Sequence, residues 1–264
     1  MAGSDLSLKG VSFKAGGNSI LSNISLRFLP GQITAVIGPS GSGKSTLLKC
    51  LTTTFEPSSG TVTLGDRKIT EITDEYRQNL GYVPQDDIIH KQLRVDAAFY
   101  YAAKLRLDSD IGDEAIQEKI AHITQLLGLS ERRSHRISKL SGGQRKRINI
   151  GIELLADPQV LVLDEPASGL DPATEEDLMK LLRGLAGQDK TIVKTTHSME
   201  YLSAVDRIVL LQEGHMIFVG SLQELLQHFD IVHVADVYKA IREGDARSWV
   251  QKFASSPLAA KAAF

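Results

Sequence analysis

Apolar and polar positions alternate over residues 6–13 and again over 20–28, with Gly16 and Gly17 between the two runs. Period-two alternation broken by a glycine pair predicts strand, turn and strand, paired antiparallel. Pro30-Gly31 marks a turn, and Ile33–Ile37 is a short apolar run of the kind that makes a buried strand. A helix is predicted from 45 to 51, and further strands over 61–64 and 81–83. From about 93 to 128 the period becomes helical: Val95, Ala98, Phe99, Ala102 and Ala103 recur at spacings of three and four, as do Ile116, Ile120, Ile123 and Leu127. A third helix starts near Gln144 and stops before Asp157-Pro158. Strand signals return at 160–163, 191–195, 206–212 and 215–219, with a helix over 174–186. Alternation of strand and helix favours a parallel sheet, so a mostly helical block is inserted into an α/β core. Beyond Gly220, LQELLQHF and DVYKAIREGDARSWVQKF read as short amphipathic helices, with Trp249, the only tryptophan, as the anchor of this tail.

Composition narrows the class. The 264 residues are 42% hydrophobic and 23% charged, with a net charge of −2. That balance fits a globular protein and gives no general attraction to nucleic acid, whose binders are more often basic. Cys50 is the single cysteine; it excludes an internal disulfide and, lying in an apolar helix, reads as core. No apolar run approaches the ~18 residues that span a bilayer, and the N-terminus lacks the regions of a signal peptide, so the chain is not expected to cross a membrane by itself. A basic cluster, Arg132, Arg133, Arg136, Lys139, Arg145, Lys146 and Arg147, reads mainly as a solvated helix face.

The candidate chemistry lies in the loops that end the strands. GPSGSGKS at 38–45 fits a phosphate-binding loop and sits between a predicted strand and a predicted helix. Gly38, Gly41 and Gly43 permit backbone shapes that turn successive N–H groups toward phosphate oxygens, with Pro39, Ser40 and Ser42 completing the loop. The helix that follows adds its positive N-terminus. Lys44 reaches the β- and γ-phosphates, Ser45 offers a hydroxyl to Mg²⁺ and Thr46 can bond a phosphate. Downstream, the apolar run 160–163 ends in Asp164 and Glu165. Asp164 emerges where α/β sheets bind ligands and is placed to hold Mg²⁺ through water. Glu165 points a different way and is the candidate general base for an attacking water. Between these motifs Ser141, Gly142, Gly143 and Gln144 open a helix, which makes a second anion cradle.

The three motifs in this order resemble the nucleotide-binding domain of the ATP-binding cassette (ABC) family, from about residue 6 to about residue 229. The resemblance implies an α/β fold: a phosphate-loop NTPase (RecA-like) core, an N-terminal antiparallel β-subdomain and an inserted α-helical signature subdomain. It implies a cassette over 1–229, with the helical insert at about 86–157, and a C-terminal helical extension over 230–264 directed toward a membrane domain. By the same resemblance the SGGQ cradle serves ATP bound to a partner subunit, in a head-to-tail dimer with two ATPs at the interface. Gln85, in GYVPQDD, matches the glutamine loop that reports Mg²⁺ and γ-phosphate to the membrane partner. His197, in KTTHS, matches the switch histidine at the γ-phosphate, and Asp171, in SGLD, matches the loop that couples the two sites across the dimer.

GYVPQDDIIH, SGGQRKRINIGIELLADP and DEPASGLDPATE are similar to the G subfamily and its bacterial relatives. That likeness implies a motor for export of a lipid-like or amphiphilic substrate. It would act at the cytoplasmic face of the membrane through a transmembrane permease domain, separate or C-terminal. One position departs from the family. An aromatic usually follows the first strand to stack on adenine, and Ala15 stands there; Phe13, two residues away, reads as buried. The competing readings are an ABC ATPase without a transport role, acting on ribosomes or DNA, and a non-catalytic regulatory cassette.

Overall fold

The computed structural model describes residues 5–108 and 110–259; residues 1–4, 109 and 260–264, among them the ends of the expected cassette and extension, lie outside the described residues. A hairpin opens the fold, β1 (Leu6–Ala15) against β2 (Asn18–Phe28), with Leu6 opposite Phe28 and Ala15 opposite Asn18. β4 (Ser59–Leu64) lies antiparallel on the other side of β1, and the two-residue β5 (Arg67–Lys68) closes a four-stranded sheet in the order β2-β1-β4-β5.

The second sheet has six strands: β3 (Ile33–Ile37), β6 (Leu80–Val83), β7 (Val160–Leu163), β8 (Thr191–Thr195), β9 (Arg207–Gln212) and β10 (His215–Gly220). They lie in the order β10-β9-β3-β8-β7-β6, parallel except for the β9–β10 hairpin. Every residue of β3, β7 and β8 is buried, which is why β3 and β7 read as nearly continuous apolar runs and not as alternation.

Helices cover the sheets. α1 (Lys44–Leu51) follows β3, and α2 (Thr73–Gln78) precedes β6. Between β6 and β7 come α3 (Val95–Arg106), α4 (Asp113–Leu126) and α5 (Gly142–Leu154). The two sets of helical spacing within 93–128 form these first two helices. The break precedes Asp113, where Tyr100 and Lys104 of α3 bond the Asp113 carboxylate that opens α4. α6 (Pro172–Ala186) joins β7 to β8.

The core has two buried clusters. One joins β1, β2, α1 and the β9–β10 hairpin; the other joins α3 to α6 with the opposite face of the parallel sheet. Cys50 is buried in the first, and burial pushes its thiol up to about 11.

The tail folds back on the first cluster. α7 (Leu222–Phe229), α8 (Val237–Arg242) and α9 (Ala246–Ala254) bury Leu225, Phe229, Val237, Ile241 and Phe253 there. Trp249 anchors it as expected, its ring 5.0 Å from Phe229 and its Nε1–H donating to the Ile241 carbonyl at 3.3 Å. Among the described residues no helix is long and apolar enough to cross a membrane.

Candidate active site

The parallel strands end side by side. Leu163 of β7 is paired with Lys194 of β8, and Val36 of β3 with Thr195, so the residues that follow β3, β7 and β8 meet at one edge of the sheet. After β3 the chain makes the loop 38–43. Gly38 packs so tightly that an added Cβ would stand 2.3 Å from the Leu211 carbonyl oxygen. Gly43, at φ +101°, turns the chain into α1. No side chain caps α1, so its first N–H groups face the loop without a side-chain acceptor, as an anion cradle requires. Pro39 and Thr46 are half-buried, Ser42 is buried, and Ser40, Gly41 and Ser45 are exposed at the mouth.

Lys44 is buried, and its Nζ donates to the carbonyls of Gly38 at 2.8 Å and Pro39 at 3.0 Å. Burial lowers its pKa, against the opposing pull of the Glu165 and Asp164 carboxylates. A cation between two carboxylates and a bare helix N-terminus is a site built for a polyanion with bound cations.

Asp164 is buried, and its Oδ1 accepts the Thr195 hydroxyl at 2.6 Å. The same Thr195 oxygen accepts the Glu165 N–H at 2.8 Å. Glu165 has φ +48°, a left-handed conformation unusual for a residue with a long side chain. Such a position costs about 1–3 kcal/mol and persists where the surroundings fix it; here the Thr195 bond does. The twist takes Glu165 off the line of the strand. His197 Nε2 lies 2.7 Å from its Oε1, and Gln85 Nε2 donates to its Oε2 at 3.3 Å. The fold thus brings Lys44, Gln85, Asp164, Glu165 and His197 into one neighbourhood.

Ser141, Gly142, Gly143 and Gln144 start α5 inside a capping box. The Ser141 hydroxyl accepts the Gln144 N–H at 3.2 Å, and the Gln144 side-chain oxygen accepts the Ser141 N–H at 3.0 Å. The Gln144 side chain is therefore occupied within its own helix. The two glycines differ. A Cβ on Gly142 would meet nothing closer than the tip of Arg145 at 3.9 Å, whereas one on Gly143 would stand 2.3 Å from Thr174 Cγ2. Gly142 is thus open to an approaching group, and Gly143 is needed for packing against α6. Asp171 caps α6, accepting the Thr174 N–H at 3.1 Å and hydroxyl at 2.6 Å, bonds that lower its carboxyl pKa.

Residues with no motif complete the site. Thr195 could have been found from register alone, since two parallel strands end level with each other. Lys146 was grouped with a solvated basic face, yet it is buried and donates to the carbonyls of Gln85 at 2.8 Å and Pro84 at 3.4 Å, pinning the loop that carries Gln85. Arg145 pairs with Asp87 at 3.1 Å and Arg147 with Asp177 at 2.9 Å. Only Arg132, Arg136 and Lys139 of the cluster lie exposed. At the tip of β1, Ala15 is exposed; Phe13, expected in the core, is half-buried and stacks on Phe55 at 4.9 Å between centroids.

Ser45, Gln85 and Asp164 offer a hydroxyl, an amide carbonyl and a carboxylate. These are the hard oxygen donors that suit Mg²⁺, which keeps waters and substrate phosphates among its ligands. Among the described residues no group of three or more His, Cys, Asp or Glu could hold a metal by itself. The donor set fits Mg²⁺ arriving with phosphate.

The chain has relatives among known proteins. The family model described as ABC transporter matches residues 21–168. An ABC transporter ATP-binding/permease protein of Mycobacterium tuberculosis is 39% identical over 240 residues, which is 90% of this chain and 28% of that protein. ABC transporter G family member 4 of Arabidopsis thaliana is 38% identical, over 80% of this chain and 36% of that protein. The arginine transport ATP-binding protein ArtM of Bacillus subtilis is 33% identical, over 83% of this chain and 92% of that protein. The chain thus spans about a third of the length of the first two relatives. Among solved structures, a dimeric ATP-binding cassette in a post-hydrolysis state with ADP and phosphate superposes with TM-score 0.73 at 27% identity. It covers 82% of this chain and 98% of its own.

Proposed function

This chain belongs to the ABC transporter family, and we propose that it is an ATP-binding and ATP-hydrolysing motor domain working as a head-to-tail dimer. The observation that carries this reading is the Glu165 carboxylate. It is contacted by Gln85 and His197, its residue's backbone N–H is held by the Thr195 hydroxyl oxygen, and it attracts Lys44 at the mouth of an uncapped helix.

Each residue has a task. Backbone N–H groups of 38–46 and Lys44 hold the triphosphate, Thr46 adding its hydroxyl. Ser45, Asp164 and Gln85 hold Mg²⁺, which neutralises phosphate charge. Glu165 receives the proton of the attacking water, and His197 orients that carboxylate and meets the γ-phosphate. Ser141 and the open backbone at Gly142 close over ATP held by the other chain, and Asp171 couples the two sites.

Transport follows from a membrane partner. Ile88, Tyr101 and Leu105 are exposed large apolar side chains that line one cavity with Tyr82 and Pro84, immediately beside Gln85. An exposed apolar cluster next to the ATP-sensing loop suits a docking segment of a transmembrane domain. With relatives of the G family, whose members are much longer than this chain, that domain is a permease on the same or a separate polypeptide. Its substrate is of the lipid-like or amphiphilic class, exported from the cytoplasmic side. The relatives found are transport proteins, which supports this reading over action on ribosomes or DNA.

Phosphate release tests this. Specific activity with Mg-ATP should rise with protein concentration as dimers form. Lys44→Ala and Ser141→Arg chains, each inactive alone, should regain one composite site at most when mixed. Turnover independent of concentration in a proven monomer would refute the dimer; no turnover above that of Lys44→Ala would refute the ATPase.

A further inference from the structure

The phosphate loop has a support from outside the motifs. Tyr238 lies on α8 in the tail, 200 positions from Gly38. Its hydroxyl accepts the Gly38 N–H at 3.2 Å and donates toward the Gly38 carbonyl at 3.4 Å. That same carbonyl accepts Lys44 Nζ at 2.8 Å. One tail residue and the principal phosphate-binding lysine therefore share a single backbone oxygen.

The sharing has a consequence for binding. Lys44 turns its ammonium to a phosphate by giving up bonding to the loop carbonyls. A buried carbonyl that loses its donor is costly, and far less so when a second donor is already in place. We propose that Tyr238 is a positioning residue for the phosphate loop: its hydroxyl holds both polar backbone atoms of Gly38, so that Lys44 transfers to phosphate without orphaning the carbonyl or shifting the loop. The proposal rests on the ATP-binding reading above, and it ties the tail, the segment beyond the cassette core, to nucleotide affinity.

The surroundings fix the hydroxyl in place. Val237 and Ile241, on either side of Tyr238 along α8, are buried. Gln212, at the end of β9, donates from Nε2 to the Ile241 carbonyl at 3.1 Å, which ties α8 to the strand beside the loop. The residue before Gln212 is Leu211, whose carbonyl is what a Gly38 Cβ would strike. Loop, β9 and α8 are thus locked as one unit. Burial raises the Tyr238 pKa, which keeps the hydroxyl protonated and able to donate.

Tyr238→Phe removes the hydroxyl and keeps the ring. In the 264-residue chain we expect Kd and KM for Mg-ATP to rise about threefold to tenfold, with kcat nearly unchanged and the thermal midpoint lowered because the Gly38 N–H loses its partner. Trp249→Phe loosens the same tail without touching Gly38; it should lower the midpoint and leave KM alone. Unchanged Kd and KM in Tyr238→Phe overturn the proposal. So does an equal rise in KM with Trp249→Phe, which would make the effect one of bulk packing. Lys44→Ala separates the two levels. If it weakens ATP binding while Tyr238→Phe does not, only the tyrosine assignment falls; if it binds ATP as tightly as the parent chain, the underlying reading falls and this one with it.

Discussion

His197 Nε2 lies 2.7 Å from Glu165 Oε1, although the two residues follow different strands. The contact exists because β7 and β8 are parallel neighbours that end level, and because Glu165 twists into a left-handed conformation that turns its side chain across the strand ends. With the proton on Nε2 the imidazole donates to the carboxylate and holds one oxygen. Gln85 holds the other. The carboxylate is thereby preorganised, and a bound water approaches a base already in position.

The paired glycines of the signature should separate under mutation. Gly142→Ala places a methyl in open space, so the fold should keep its thermal midpoint while ATPase activity falls because the backbone can no longer approach phosphate. Gly143→Ala drives a methyl to 2.3 Å from Thr174 Cγ2, and overpacking of that kind costs about 1–3 kcal/mol. Calorimetry and phosphate release on both variants check this. A loss of stability in Gly142→Ala, or none in Gly143→Ala, would contradict the assignment of roles.

Much of the fold is legible in the sequence, and the exceptions share a cause. The β1–β2 hairpin, the buried strands and the motif-bearing loops follow from local pattern, because alternation and glycine placement are local signals. β5, with two residues, and α2, with six, are too short to show a period, and neither was predicted. α3 and α4 follow the two separate apolar sets, Val95 to Ala103 and Ile116 to Leu127. In the site, Gln85, Asp164, Glu165 and His197 stand out by motif. Thr195, Lys146 and Tyr238 do not, since each acts through long-range hydrogen bonds to backbone or carboxylate. Phe13, expected in the core on alternation alone, packs at its edge, half-buried and stacked on Phe55.

The base site should discriminate poorly. Ala15 offers no ring at the tip of β1, so the triphosphate contacts carry most of the affinity. GTP should be hydrolysed within about tenfold of ATP, a gap of roughly 1.4 kcal/mol. Ala15→Tyr should tighten ATP binding. Titration of both nucleotides against both proteins measures it, and a strong ATP preference in the parent chain would mean that another residue grips adenine.

Lys194 should make stability depend on pH. It is buried in β8 with its Nζ against Met179 Sδ at 3.0 Å, and desolvation lowers its pKa to about 8 despite the attraction of Glu175. The folded value lies below the unfolded one of 10.5, so between them the unfolded chain binds more protons and stability rises with pH. Below pH 8 the penalty is present in full, at most about 3 kcal/mol. Lys194→Met should therefore stabilise the fold most at neutral pH, with the gain shrinking as pH climbs toward 10. Denaturant melts of both proteins at several pH values test it, and a gain independent of pH would remove the lysine as its source.

The account turns on Glu165 as general base, and Glu165→Gln addresses it most directly. The substitution keeps the shape and removes the basic carboxylate, so hydrolysis should fall by about 10²–10⁴-fold. ATP should still bind, and the protein should accumulate as an ATP-bound dimer visible by size-exclusion chromatography with Mg-ATP. Phosphate release near that of the parent chain would contradict the claim.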